Sequence, residues 1–224
     1  MKGVLALKGV TLFKDGVRLL GPITCEIAAG RPTVLMGPSG SGKSSLLNWL
    51  IGALSPAFAA EGRVLLDGKD IGPLPTQARR LGILFQDDLL FPHLSVAENL
   101  AFGLPPSLSR REREARIMAG LAEAELPGLG GRDPLSLSGG ERARAALMRT
   151  LLAEPQALLL DEPFAKLDVA LRGRFRSLVF ERAAARNLPV LLVSHDPADA
   201  TAAQGPVIDL GRLGGAADSA PRDP

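Results

Sequence analysis

The sequence predicts an α/β domain with a parallel sheet core, an antiparallel β edge sheet and an inserted helical subdomain. Short apolar runs alternate along the chain with helical patterns, which is typical of parallel strands joined by right-handed helical crossovers. Two segments near the N-terminus alternate apolar with polar residues, and this pattern indicates strands with one solvated face. A long stretch in the middle of the chain shows helices and loops without a convincing strand.

The predicted parallel strands are short apolar runs bounded by Gly, Pro, Asp or His. They lack alternation because both faces of such a sheet are covered. These strands are residues 32–36, 82–85, 157–160 and 190–193. Helical periodicity fills intervals between them. The predicted helices are residues 44–54, 110–125, 139–153 and 169–187.

The alternating segments, residues 4–13 and 23–27, are predicted to pair in the edge sheet. The interval between Gln86 and Ala157 is predicted to be the helical subdomain. The expected divisions are one domain at residues 1–212, with its core at 1–86 and 151–212, its helical subdomain at 87–150, and a disordered tail at 213–224. The tail is rich in Gly, Ala, Asp and Pro and has few apolar anchors.

Composition excludes several classes of function. The 224 residues include 26 Lys and Arg against 24 Asp and Glu, and a formal charge of +2 argues against a polybasic nucleic-acid binder. Hydrophobic residues make up 46% of the chain, yet no apolar run reaches the roughly 18 residues that cross a bilayer. The N-terminus shows no signal-peptide core, and the single cysteine, Cys25, favours a reducing compartment. We therefore expect a cytoplasmic domain.

Residues 37–44 fit the pattern G-x-x-x-x-G-K-[ST] between a predicted strand and a predicted helix. The backbone N–H groups of such a P-loop, together with the N-terminus of the following helix, bind phosphate oxygens. Lys43 is expected to reach the β- and γ-phosphates, and Ser44 to offer a hydroxyl to Mg²⁺. The predicted nucleotide-binding residues here are Gly37, Pro38, Ser39, Gly40, Ser41, Gly42, Lys43, Ser44 and Ser45. This loop alone predicts an NTPase and leaves kinases, GTPases and transport ATPases open.

Two adjacent carboxylates, Asp161 and Glu162, end the predicted strand that begins at Ala157. Because ligands bind at the carboxyl ends of parallel strands, both side chains are expected to face the nucleotide. Asp161 suits an indirect ligand to Mg²⁺, and Glu162 suits a general base or a polariser of the attacking water. Without the P-loop, such a pair would more often be a solvated turn.

The segment Leu137-Ser138-Gly139-Gly140-Glu141 opens a predicted helix rich in Arg, Ala and Leu. It resembles the LSGGQ signature of the ATP-binding cassette (ABC) family, with Glu141 in place of the usual Gln. A helix N-terminus that carries a serine and two glycines is a second phosphate-binding element. The resemblance covers essentially the whole chain. It implies the RecA-like P-loop NTPase fold, with ATP as substrate, Mg²⁺ as cofactor and ATP hydrolysis as the activity.

Other residues match the family's motifs at the ends of predicted strands. Gln86 resembles the Q-loop glutamine, which implies a role in catalysis and as a Mg²⁺ ligand. His195 resembles the switch histidine, which implies a contact with the γ-phosphate. Residues 163–168 resemble the D-loop, with Ala165 where Ser is more usual, and they imply that Asp168 lies near the nucleotide.

The residue that stacks on adenine is left open by the sequence. Many family members carry an aromatic residue some distance before the P-loop, and Phe13 lies near that place. An alignment could equally put Lys14 there. Phe13 is also well suited to be an ordinary core residue.

The resemblance further implies a sandwich of two copies of this chain, arranged head to tail. Each ATP would lie between Lys43 of one copy and Ser138 of the other, so that both interfaces are alike. Gly139, Gly140, Glu141 and Asp168 are the other residues expected to meet the nucleotide across this interface. ATP binding would close the pair, and hydrolysis would release it.

Residues 85–100, FQDDLLFPHLSVAENL, resemble the importer branch of the family. There this segment forms the groove for a short coupling helix of a membrane permease. The apolar side chains in it would offer an anchoring surface, although ordinary packing within the helical subdomain also explains them. The resemblance implies an ATPase subunit peripheral to the cytoplasmic side of a bacterial inner membrane, with permease subunits and an extracytoplasmic binding protein as partners and no nucleic acid.

Three other classes compete with this interpretation. An exporter or lipoprotein-release ATPase would use the same hydrolytic residues. A nucleic-acid-associated ABC ATPase would need a long coiled-coil insertion or tandem cassettes, and the sequence shows neither. A P-loop small-molecule kinase would leave the signature, Gln86 and His195 without a role.

Overall fold

A computed structural model describes residues 3–213. The strands are β1 (Val4–Lys14), β2 (Val17–Ala28), β3 (Thr33–Met36), β4 (Phe58–Leu66), β5 (Lys69–Asp70), β6 (Leu81–Leu84), β7 (Ala157–Asp161), β8 (Val190–Val193) and β9 (Val207–Asp209). The helices are α1 (Lys43–Ile51), α2 (Thr76–Arg79), α3 (Val96–Gly103), α4 (Arg110–Glu123), α5 (Gly139–Leu152), α6 (Val169–Ala185), α7 (Pro197–Ala203) and α8 (Leu210–Leu213), with a 3₁₀ turn at Pro134–Ser136. The predicted tail lies outside the described residues except for residue 213.

The parallel sheet has the strand order β6-β7-β8-β3-β9, and every pairing in it is parallel. Its central strands are buried on both faces, as the apolar run Leu158–160 at the middle of β7 shows. The four predicted parallel strands are therefore confirmed. Strand β9 was not predicted, because its three residues alternate between exposed and half-buried positions and form no apolar run.

The second sheet is antiparallel, with the order β2-β1-β4-β5. The two predicted edge strands correspond to β1 and β2, and Leu7 lies opposite Cys25 in their register. Strand β4 was not predicted, since its first six residues are exposed or half-buried and only Val64 and Leu66 enter the core. Helix α1 packs between the two sheets through Leu46, Leu47 and Leu50, which are fully buried.

Between β6 and β7 the described chain forms α3, α4, the 3₁₀ turn and α5, with no strand in this interval. Helix α3 begins at a capping box formed by Ser95 and Glu98, and α4 begins at one formed by Ser109 and Glu112. Helices α3 and α5 pack on each other through buried residues such as Leu100 and Leu147. The expectation of an α/β fold with two sheets and helices between strands is confirmed.

This strand order determines where the functional residues lie. The P-loop follows β3, Gln86 follows β6, Glu162 follows β7 and His195 follows β8. All four segments leave the carboxyl edge of one parallel sheet, where ligands bind in such folds. Across residues 3–213, the helices are too short or too polar for any of them to cross a membrane.

Candidate nucleotide-binding site

The P-loop turns sharply into α1 at two glycines in the left-handed region. Gly40 has φ 80° and Gly42 has φ 87°. A Cβ at Gly42 would lie 2.7 Å from Cδ2 of Leu20 and 2.8 Å from Cδ2 of Leu19, so the loop also packs too closely there for a side chain. Helix α1 begins at Lys43 without a side-chain cap. The first N–H groups of α1 therefore have no side-chain partner and can donate to a ligand. An anion is the kind of ligand that binds at such an N-terminus.

Lys43 is buried inside this loop. Its Nζ donates hydrogen bonds of 2.8 Å to the backbone carbonyls of Gly37 and Pro38. The carbonyls hold the ammonium at the mouth of α1, on the side where phosphates are expected. The nearby Oγ of Ser41 is buried and has no hydrogen-bond partner. An orphaned hydroxyl beside uncapped N–H groups fits a loop that binds phosphate oxygens.

Ser44 and Asp161 are brought together from α1 and β7. Ser44 Oγ donates a hydrogen bond of 3.0 Å to Asp161 Oδ1. Burial raises the pKa of Asp161 above its usual value, although the Ser44 hydrogen bond opposes the rise and Glu162 adds to it. A partly buried carboxylate whose ionised form is disfavoured is suited to a cation that would stabilise its charge.

The donor set fits Mg²⁺ held together with substrate phosphates. Among residues 3–213, no group of three or more His, Cys, Asp or Glu side chains is placed to bind a metal. Mg²⁺ typically keeps several waters and takes one or two carboxylates plus phosphate oxygens. The Ser44 hydroxyl, the Asp161 carboxylate and the Gln86 amide at one cavity are ligands of that kind.

Glu162 lies at the end of β7 in the left-handed region, with φ 47°. Its N–H donates to the carbonyl of Val193 at 3.0 Å, which ties this turn to β8. Oε2 of Glu162 lies 3.1 Å from Nδ1 of His195. A strained backbone at a non-glycine residue is common where a side chain must be aimed. The geometry aims this carboxylate at the histidine of the neighbouring strand.

A single cavity of about 410 Å³ joins the P-loop to the strand ends. Its lining residues from the sequence prediction are Ser39, Gly40, Gly42, Lys43, Ser44, Ser45, Gln86, Asp161 and Glu162. Leu19 and Phe58 also line the cavity and were not predicted from the sequence. Lys14, the alternative to Phe13 at the adenine position, lines it as well. His195 lies in a smaller adjoining cavity that also has Glu162 in its wall.

Phe13 is not among the residues that line this cavity, whereas its neighbour Lys14 is. Successive side chains of a strand point to opposite faces, so only one of the two can face the nucleotide cavity. Lys14 lies opposite Phe58 of β4, and Phe13 lies opposite Ala59. A contact between Phe13 and adenine therefore stays a prediction, and the cavity lining favours the neighbouring position, Lys14.

The signature residues lie at the N-terminus of α5, outside the lining of the nucleotide cavity. Glu141 closes a capping box there: its Oε2 accepts hydrogen bonds of 2.7 Å from both the N–H and the hydroxyl of Ser138. The hydrogen bonds from Ser138 lower the pKa of Glu141. Gly140 is buried, and a Cβ there would meet Leu171 of α6 at 2.5 Å.

Asp168 ends the D-loop and caps α6 within its own chain. Its Oδ1 accepts a hydrogen bond of 2.9 Å from the N–H of Leu171. In the same D-loop, Phe164 is almost fully buried and packs edge-on against Phe175. The D-loop is thus anchored by apolar contacts of Phe164 at one end and by the polar contact of Asp168 at the other.

The loop after Gln86 is fixed by two polar residues that the sequence analysis did not single out. Asn99 is fully buried; its Oδ1 accepts from the Phe91 N–H at 2.8 Å, and its Nδ2 donates to the Leu94 carbonyl at 3.1 Å. Arg149 of α5 donates to the Leu89 carbonyl at 2.8 Å, and its guanidinium lies 5.2 Å from the centroid of the Phe91 ring. The local sequence of this loop, Phe-Pro-His at residues 91–93, does not indicate that residues distant in the chain hold it.

The surface above this loop is apolar and exposed. Residues Leu89 and Phe102 are 56% and 68% exposed. The rings of Phe91 and Phe102 lie 4.7 Å apart in an edge-on arrangement. We call Leu89, Phe91 and Phe102 the apolar patch. Clustered exposed apolar side chains of this kind indicate a contact surface for another protein.

Comparisons with known proteins agree with this geometry. The family model described as ABC transporter matches residues 20–165. The chain is 46% identical over 207 residues to the uncharacterized ABC transporter ATP-binding protein YnjD of Escherichia coli, covering 92% of this chain and 95% of that protein. It is 49% identical over 173 residues to the thiamine import ATP-binding protein ThiQ of Cereibacter sphaeroides, covering 77% and 74% of the two chains.

A solved structure described as the dimeric structure of MJ0796, a bacterial ABC transporter cassette, superimposes with a TM-score of 0.76 at 32% identity. The match covers 92% of this chain and 94% of that one. The P-loop, the strand-end carboxylates and the signature helix thus occur in a chain whose relatives share most of its length and its fold. The chain belongs to the ABC transporter family, as an ATP-binding domain with ATPase activity.

Proposed function

We propose that this chain is the ATP-hydrolysing subunit of a bacterial importer. One observation carries the mechanism: the nucleotide cavity is lined by the P-loop and the strand-end acids, while the phosphate-binding N-terminus of α5 lies outside it. One chain therefore offers two separate phosphate-binding elements. Two copies arranged head to tail would bring the signature of each to the nucleotide of the other. The dimeric cassette among the similar structures supports this arrangement.

Within each site, Lys43 and the uncapped N–H groups of α1 bind the phosphates. Ser44, Asp161 and Gln86 would hold Mg²⁺, which supplies neutralising charge to the phosphate oxygens. Glu162 takes a proton from the attacking water, and His195 orients that carboxylate from the next strand.

Across the interface, Ser138, Gly139, Gly140 and Glu141 would meet the phosphates of the partner's ATP through the N-terminus of α5. Asp168 lies at the start of α6, where the D-loop would follow the same interface. ATP binds the closed pair more tightly than the open one, so its hydrolysis shifts the population towards the open pair.

The importer assignment rests on the names of the relatives and on the apolar patch. The relatives include ATP-binding proteins named for import of thiamine, Fe³⁺ ions and sulfate/thiosulfate. The proposed partners are permease subunits that dock near residues 86–100, with an extracytoplasmic binding protein in the same system, and the proposed location is the cytoplasmic side of the inner membrane. The division into a core at residues 1–86 and 151–212 and a helical subdomain at 87–150 belongs to the same proposal.

Glu162→Gln tests the proposed mechanism. The amide keeps the shape of the side chain but accepts no proton, so we expect hydrolysis to fall on the order of a hundredfold or more while ATP is still bound. The trapped nucleotide should convert the purified chain to a dimer in size-exclusion chromatography. Glu26→Gln is the matched control, because Glu26 is an exposed partner of Lys8. Normal hydrolysis by the Glu162 variant, or its failure to dimerise in ATP, contradicts the assignment.

Transport itself is tested by purifying the chain with the permease encoded beside it and measuring ATP hydrolysis in the presence of candidate solutes. An importer predicts stimulation by a ligand-loaded extracytoplasmic binding protein. Stimulation by a lipoprotein or another exported molecule would instead support an export complex. Tight DNA binding by the isolated chain, with DNA-stimulated hydrolysis, would contradict the transport assignment.

A further inference from the structure

A row of side chains crosses the edge sheet beside the P-loop. Lys14 of β1 lies directly opposite Phe58 of β4 and directly opposite Val17 of β2. Residues that face each other in antiparallel pairs share one face of the sheet. Lys14 and Phe58 both line the cavity that holds the P-loop, which identifies this face as the one turned to the nucleotide.

Leu19 connects this row to the phosphate-binding loop. It lines the same cavity, and its Cδ2 lies 2.8 Å from the position that a Cβ on Gly42 would take. Leu19 therefore packs directly against the last glycine of the P-loop. The cavity wall thus includes one apolar side chain, Leu19, next to the phosphate-binding loop and a second, Phe58, from β4.

Phe58 contributes an aromatic ring to this cavity. It is half-buried, and the Lys14 ammonium lies 5.9 Å from its ring centroid. An aromatic face beside an exposed cation is a suitable surface for a planar heteroaromatic group, since stacking needs a ring and a flexible lysine can move aside. The cavity thus has a polar end for phosphates and an aromatic end for a base.

We propose that Phe58 is the residue on which the purine of bound ATP packs, with Leu19 and the aliphatic part of Lys14 beside it. This inference rests on the proposed function only in taking the cavity as the ATP site. It departs from the sequence prediction, which looked for the ring near the end of the first strand. The ring comes instead from β4, one strand away, because the β1–β4 register places Phe58 next to Lys14.

The test compares a ligand that has a base with one that lacks it. Isothermal titration calorimetry on the full chain, freed of nucleotide, measures the Kd of Mg²⁺-ATP and of Mg²⁺-tripolyphosphate. Phe58→Ala should weaken ATP binding about tenfold and leave tripolyphosphate binding unchanged, because only ATP loses a stacking partner. Phe58→Trp should restore ATP affinity to at least that of the unsubstituted chain.

The variant Phe13→Ala distinguishes Phe13 from Phe58 as the residue that packs against the purine. If Phe58 holds the base, the Phe13 variant should keep its ratio of ATP to tripolyphosphate affinity within about twofold of the unsubstituted chain. A selective loss of ATP affinity in the Phe13 variant, or an equal loss of both ligands in Phe58→Ala, overturns the proposal. If the unsubstituted chain binds tripolyphosphate but not ATP, the ATP site itself is wrong, which is a separate failure.

Discussion

His195 Nδ1 lies 3.1 Å from Glu162 Oε2, although the two residues end different strands of the parallel sheet. The histidine is largely exposed and the carboxylate is mostly buried, with side chains that are 61% and 22% exposed. The contact therefore links a side chain accessible to a ligand with one that is held in place. We interpret His195 as the residue that positions the proposed general base.

His195→Ala should lower kcat for ATP hydrolysis on the order of a hundredfold, because the base loses its orienting partner. KM for ATP should change little, since the P-loop supplies most of the contacts with the phosphates. Steady-state kinetics on the purified chain measure both parameters. A large rise in KM at unchanged kcat would instead make His195 a binding residue.

Arg149→Ala should loosen the loop that follows Gln86. The variant removes the hydrogen bond to the Leu89 carbonyl and the contact with the Phe91 ring, which leaves a backbone carbonyl without its partner. We expect faster hydrogen–deuterium exchange at residues 88–92 and weaker capture of the permease. Arg110→Ala is the matched control, because Arg110 has a 93% exposed side chain and pairs only along its own helix with Glu114.

If the two arginine variants show the same exchange at residues 88–92, Arg149 does not organise the loop. If the loop loosens and the permease is still captured normally, the apolar patch is not the docking surface. The thermal unfolding midpoint of each variant is measured as well. It shows whether either substitution destabilises the rest of the domain.

Asp161→Asn should raise the thermal stability of the nucleotide-free chain at pH 7 and abolish the extra stabilisation by Mg²⁺-ATP. Burial raises the pKa of Asp161, so the folded chain disfavours its ionised form. This penalty is fully present above the raised folded-state pKa, and it disappears as the pH falls towards the unfolded-state pKa. The stability difference between variant and parent should therefore shrink on acidification. A difference that is constant with pH would assign the effect to packing.

Cys25 should react slowly with thiol reagents in the folded chain. Burial raises the pKa of its thiol to about 11, despite an opposing hydrogen bond with the backbone of Leu7. At pH 8 we expect labelling roughly a hundredfold slower than for a free cysteine, because the thiolate is the reactive form. Labelling in denaturant supplies the reference rate, and Cys25 is the single cysteine in the sequence. Labelling as rapid as in denaturant would show that β2 opens freely.

The parts of the site that the sequence predicted are those built by contiguous residues. The P-loop is one turn between a strand and a helix, so its glycines, Lys43 and Ser44 specify it locally. Asp161 and Glu162 come at the end of an apolar run. The uninterrupted apolar composition of that run predicts a strand buried on both faces. His195 became interpretable only beside these motifs, since a lone histidine carries no such pattern.

The parts that sequence reasoning missed depend on register and on distant partners. Phe58 enters the cavity because β4 pairs with β1 so that it faces Lys14, and a shift of one residue would turn it away. Asn99 and Arg149 hold the loop after Gln86 by hydrogen bonds to its backbone carbonyls. Such contacts cannot be predicted from the periodicity of apolar side chains. The turn that carries His195 is likewise anchored across the fold, where Arg172 of α6 forms an ion pair of 2.9 Å with Asp196.

The strand order also limits how far a signal from a membrane partner must travel. Gln86 follows β6 and Glu162 follows β7, and these strands are immediate neighbours. Neighbouring strands lie about 4.8 Å apart, so the loop that carries the apolar patch starts one strand spacing from the proposed base. If the proposed permease docks on this loop, a displacement by a fraction of that spacing would shift Gln86 relative to the proposed base. In that case the docking surface and the proposed base would be coupled through two adjacent strand ends, without a relay through the interior of the domain.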